Sequence, residues 1–147
     1  MEREHFGKEM LGVIVTLPRG ESSSGLACMF RDYLKQNFED FSSKRRLIQH
    51  RLLPTVLTAV DKGMSITLRF ADRMVSIEDG RQAAPLEFRG PFFILTKVAS
   101  GQRLSWNELR QVRVKGAFRH PIATLLMALL LRTPPALYRN ESLKRMA

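Results

Sequence analysis

Four stretches of the chain alternate apolar and polar residues, and four carry apolar residues at helical spacing. Met29, Phe30, Tyr33, Leu34, Phe38 and Phe41 recur at i, i+3/i+4 and predict a helix over Leu26–Phe41. Leu47, Ile48, Leu52, Leu53, Val56, Leu57 and Val60 extend the same period. They predict a second helix over Lys44–Val60, kinked or split at Pro54 and closed by Asp61-Lys62-Gly63. The period then drops to two. Met64, Ile66, Leu68 and Phe70 alternate with Ser65, Thr67 and Arg69; Val75 and Ile77 alternate with Ser76 and Glu78; Leu86 and Phe88 alternate with Glu87 and Arg89. Turn signals at Ala71-Asp72 and Asp79-Gly80 make these three strands an antiparallel meander. Gly90-Pro91 opens a third helix that Gly101 closes, and Ser105-Trp106-Asn107-Glu108 fits a capping box. Val112 and Val114 alternate with Arg113 and Lys115 in a last strand, which turns at Gly116. Ile122–Leu131 follows as a final helix whose only polar side chain is Thr124, and Pro134-Pro135 stops it.

Helix, helix, three strands, helix, strand, helix is the order expected of an α+β fold, with helices on one face of a mostly antiparallel sheet. Met10–Leu17 reads as an extra strand or buried arm. Pro18 and the Gly20–Gly25 loop end it, which divides the chain into an arm (1–24), one domain (25–135) and a basic tail (136–147). The last helix has no polar face, so sheet packing on one side leaves apolar surface to cover. A lipid, the C-terminal tail or a second subunit would each cover it.

Charge and length narrow the reading. At 147 residues the chain can bury one sizeable core. Its net charge of +10 is concentrated beyond Gln102, where nine Lys/Arg face two acids. Such a field suits nucleic acid, anionic lipid or an acidic protein, and a solvated face with no specific partner explains it equally well. Arg113, Lys115, Arg119 and Arg132 are the candidates for docking on a membrane or other anion. Basic residues and aromatics do not interleave as stacking platforms, so nucleic acid is the weaker partner. Lone Cys28 forms no intramolecular disulfide. The polar start MEREHFGKEM does not resemble a signal peptide, and no run reaches the roughly 18 apolar residues of a spanning helix. A soluble, cytoplasmic protein that can touch membranes is expected.

The ordered series MSITLRFADRMVSIEDG, PLEFRGPFFILTKVASGQ, a turn carrying Trp106, and QVRVKGAFRHPIATLLMALL resembles the sterol carrier protein, or nonspecific lipid-transfer, domain family from about Phe41 to Leu131. Gly101 and Gly116 match the family's glycines after the middle helix and after the last core strand. Ala117 stands where members commonly have Asp or Asn, and Asn107 and Glu108 stand where aromatics are common. The resemblance implies a curved sheet of about five strands covered by helices, with an apolar tunnel between the layers for acyl chains, sterols or isoprenoids. It would be lined by Phe88, Phe92, Leu95, Val112, Val114, Ile122, Leu125, Leu126 and Leu129. Some bacterial proteins resembling this family hold isoprenoid quinone intermediates as accessory subunits.

Catalytic constellations are weak. His5, His50 and His120 have no metal-ligand spacing, and the Gly20–Gly25 loop lacks a P-loop lysine. Cys28 is flanked by apolar residues. The expectation is a carrier of a long apolar lipid, with no enzymatic chemistry and no cofactor. A nucleic-acid-binding protein, or a subunit using its last helix as an interface in a homodimer or with an acidic partner, is the alternative.

Overall fold

A computed structural model describes residues 13–20, 23–48 and 52–132. The protein is α+β, with six strands in one open mixed sheet and five helices among the described residues. The chain runs β1 (Ile14–Thr16), α1 (Gly25–Asp40), α2 (Ser42–Leu47), β2 (Thr55–Ala59), β3 (Met64–Ala71), β4 (Met74–Asp79) and β5 (Leu86–Gly90). It continues through α3 (Phe92–Ala99), α4 (Trp106–Leu109), β6 (Arg113–Lys115) and α5 (Pro121–Leu131). Across the sheet the order is β1-β4-β3-β2-β5-β6.

Two expectations are corrected. The second helix ends at Leu47, and Thr55–Ala59 is a strand. Pro54 directly precedes β2, which is buried along its whole length because β3 and β5 flank it and both its faces are covered. A strand buried on both faces loses the period-two signature, so Val56, Leu57 and Val60 pass for helical period. The third meander strand also goes elsewhere. β2–β3 and β3–β4 pair antiparallel, but β5 joins the far side of β2 in parallel, and β1 joins β4 in parallel.

Because β4 and β5 run the same way, the coil between them must cross the sheet. Thr67, fully buried on β3, anchors it: its hydroxyl donates to the Gly80 carbonyl at 2.9 Å and accepts from the Gln82 N–H at 3.0 Å. Beyond it, Arg81 Nη2 stands 3.0 Å from Glu87 Oε1 as an ion pair, and Thr58 Oγ1 donates to Glu87 Oε2 at 2.7 Å. These groups occupy the face of the sheet away from the core. On the core face, Leu57, Ile66, Leu68, Val75, Ile77, Leu86 and Phe88 meet the helices. Helix α1 covers them with Leu26, Phe30, Leu34 and Phe38, a stripe at four-residue spacing. Ser24 caps α1 by accepting from the Ala27 N–H, and the Ser24 N–H donates to Asp79 Oδ2 at 2.8 Å, which ties the helix start to β4.

Candidate functional site

The other end of the helix layer is not closed. Between the β5–β6 edge and helices α3, α4 and α5 lies a cleft of about 680 Å³. This is the size of small-molecule sites, about 300–1,000 Å³. Phe88 and Val112 form its floor, and Ile94, Leu95 and Val98 of α3 form one wall. Residues 102–105 with Trp106 and Leu109 of α4 form the second, and Ala128, Leu131 and Arg132 at the end of α5 the third.

Local sequence fixes each wall. Helix α3 ends in a paired turn: Gln102 N–H donates to the Lys97 carbonyl at 2.9 Å and Gly101 N–H to the Val98 carbonyl at 3.0 Å. Gly101 sits at φ +79°, the left-handed cap this motif requires. The capping box forms as expected. Ser105 Oγ accepts from the Glu108 N–H, and Glu108 Oε1 accepts from the Ser105 N–H at 2.9 Å. Glu108 also pairs with Lys97, which fastens α4 to α3. That Lys97 bond, with the Ser105 N–H, holds the Glu108 carboxyl below its ordinary range. Arg103 and Arg132 therefore stand on the cleft wall with no carboxylate partner among the described residues.

The α5 wall is held from beneath by Lys44, the first of three successive cations, Lys44-Arg45-Arg46, in α2. Lys44 is 2% exposed. Its Nζ donates to the Leu130 carbonyl at 2.5 Å and to the Arg132 carbonyl, and Tyr33 Oη donates to the Leu131 carbonyl at 2.8 Å. Three carbonyls at the end of α5, which have no partner inside the helix, are thus satisfied. The Nζ also lies 5.6 Å from the centroid of the Tyr33 ring. Burial, followed by the nearby Arg132 charge, pushes Lys44 down to about 7.

The structure gathers only part of the expected lining. Phe88, Leu95 and Val112 line the cleft. Phe92, Val114 and Leu126 pack against the core instead. Ile122, Leu125 and Leu129 are 73%, 60% and 39% exposed, against the inward placement expected of them. The reason is rotational. Helix α5 turns Ala123, Leu126, Met127, Leu130 and Leu131 to the core, a set at i, i+3/i+4, and an all-apolar helix gives no polar residue from which to read that rotation. Of the candidate cations, Arg132 is at the cleft, whereas Arg113 and Lys115 flank the core-packed Val114 and point to the opposite face of the sheet. Arg119 is exposed in the turn before α5. Sequence reasoning missed Arg103, Trp106, Leu109 and Ala128. The capping box held the signal for two of them, since it places Trp106 and Leu109 on one helical turn.

Among the described residues no helix is long and apolar enough to cross a membrane. The Pro134-Pro135 stop, His5, His50 and the tail 136–147 lie outside the described residues.

No protein-family model matches the chain, and no curated protein matches it. Among solved structures, it is similar to a protein of Thermus thermophilus, described as a "conserved hypothetical protein" and "possibly sterol carrier protein" and determined in solution. The identity is 11%, the match covers 84% of this chain and 98% of that one, and the TM-score is 0.45. A likeness at that level does not carry a fold or a function across to this chain.

Proposed function

We propose that the protein is a non-enzymatic binder of a long apolar lipid, held in the cleft between the sheet edge and helices α3, α4 and α5. The observation that supports this is the cleft itself: about 680 Å³, floored by Phe88 and Val112 and walled by Leu95, Val98 and Leu131. A hydrocarbon chain gains about 0.8 kcal/mol per buried methylene, so ten methylenes contribute about 8 kcal/mol before ordering costs of several kcal/mol. That balance gives useful affinity with loose selectivity, because apolar walls distinguish chains by volume and shape alone. Arg103 and Arg132, with no carboxylate partner among the described residues, suit a lipid with an acidic end. A fatty acyl, sterol-like or isoprenoid chain fits the same physical description.

Lipid extraction of the purified protein, with titration of a fluorescent fatty acid, tests the reading. A copurified lipid and saturable binding are expected. Ala128→Trp places an indole at the cleft from a residue that is exposed, so the core is untouched. It is expected to weaken fatty-acid binding at least tenfold while the melting temperature stays within about 4 °C of the parent, the shift of 1–2 kcal/mol in a chain of this size. No extracted lipid together with no saturable binding refutes the proposal.

A further inference from the structure

We propose that the mouth of this cleft is a docking face for an anionic lipid bilayer. Its two banks expose apolar side chains that a protein facing only water has no reason to gather. On one bank Trp106 is 81% exposed and Leu109 47%, and both line the cleft. On the other, Ala128 lines the cleft and Leu125 and Leu129, one turn before it and one residue after it, stand out into solvent. Tryptophan beside aliphatic groups is the composition of side chains that settle at the headgroup level of a membrane.

Charge selects the partner. Arg103 and Arg132 stand among these apolar groups, and Arg110 follows α4 directly. Between Gln102 and Arg132 the single acid is Glu108, already paired with Lys97. A cationic rim without a free acid among the described residues, set around apolar side chains, is complementary to anionic headgroups over an acyl layer. A nucleic acid would require several stacking aromatics, and among the described residues this rim exposes Trp106 alone. Arg113 and Lys115, although equally basic, face the other side of the sheet and take no part. Docking here rests on the exposed rim and not on what fills the cleft, so it stands or falls separately from the lipid-binding proposal.

Cosedimentation with phosphatidylcholine vesicles, with or without phosphatidylglycerol, tests it on the full chain. Binding is expected only with phosphatidylglycerol, falling with salt and accompanied by a blue shift in emission from Trp106, the chain's one tryptophan. Each cation near an anionic surface is worth about a fivefold gain, so R103S/R132S is expected to bind about thirtyfold more weakly. R113S/K115S is expected to bind as the parent does. Circular dichroism melting checks that both variants fold; if R103S/R132S does not, Trp106→Gln is scored in its place and is expected to weaken binding. The proposal is overturned if the parent ignores anionic vesicles, as it would were residues 133–147 or a second copy to cover the mouth. It is equally overturned if the two double variants lose binding alike.

Discussion

A Gly116→Ala variant is expected to lose about 4 kcal/mol of folding stability and to melt more than about 8 °C below the parent. Two costs coincide at this residue. Gly116 sits at φ +90°, where an L side chain is strained by about 1–3 kcal/mol. An added Cβ would also lie 2.1 Å from the Pro85 carbonyl oxygen, a backbone atom that cannot rotate away. Relief requires the residue leading into β5 and the residue leaving β6 to separate, at a further cost of about 1–3 kcal/mol or more. Gly63→Ala supplies the control. Gly63 has φ +61° but open space around its missing side chain, so only the conformational cost applies, about 1 kcal/mol. Urea unfolding of the three proteins separates the two effects. Equal losses in both variants would mean that the Pro85 contact is loose.

Lys44→Met is expected to lose about 2–4 kcal/mol, and the loss is expected to grow as pH rises from about 7 toward about 10. Methionine fills the volume but leaves the Leu130 and Arg132 carbonyls without a donor, at about 1–3 kcal/mol for each buried unsatisfied group. The pH dependence follows from linkage. Burial holds Lys44 at about 7 in the folded protein, against the ordinary value of 10.5 when unfolded. Below about pH 7 both states carry the proton and the folded state bears the full cost of a buried cation. Between about 7 and 10.5 the unfolded state holds the extra proton, so parent stability rises with pH by at most about 1.4 kcal/mol per unit. Lys44→Met lacks this contribution. Denaturation of parent and variant at about pH 6.5, 8 and 9.5 reads the difference, and parallel curves would refute a depressed Lys44. The variant is also expected to loosen Leu131 and Arg132, and with them one wall of the cleft.

How far the sequence reached depended on whether one face of an element met water. β3, β5 and β6 were legible because Ser65, Glu87, Arg113 and Lys115 interrupt the apolar residues every second position. The capping box at Ser105–Glu108 was legible because its chemistry is local. β2 was not, since a fully buried strand shows no alternation and Pro54 alone marks the break from α2. The rotation of α5 was hidden for the matching reason. Its inward and outward residues are chemically alike, and only tertiary packing decides that Met127 and Leu130 are buried while Ile122 and Leu125 are not. The cleft was half legible: the alternation that identified Phe88 and Val112 was present, but Ala128 and Arg103 reach it through tertiary placement that no short spacing encodes. Lys44 was not legible at all, because the carbonyls that hold this one member of a basic run lie at sequence separations of 86 and 88.

The two outermost strands have a consequence for behaviour at high concentration. A mixed sheet with free ends offers unpaired N–H and C=O groups to any other extended chain, and long, flat, apolar ends seed fibrils. Among the described residues the ends, β1 and β6, are three residues each, and β6 carries Arg113 and Lys115 on one face. Lysine on a short end strand is a recognised guard against sheet-to-sheet growth. Two copies of β6 paired edge to edge would set these like charges against one another, so sheet growth at that end carries a charge penalty that an apolar strand lacks.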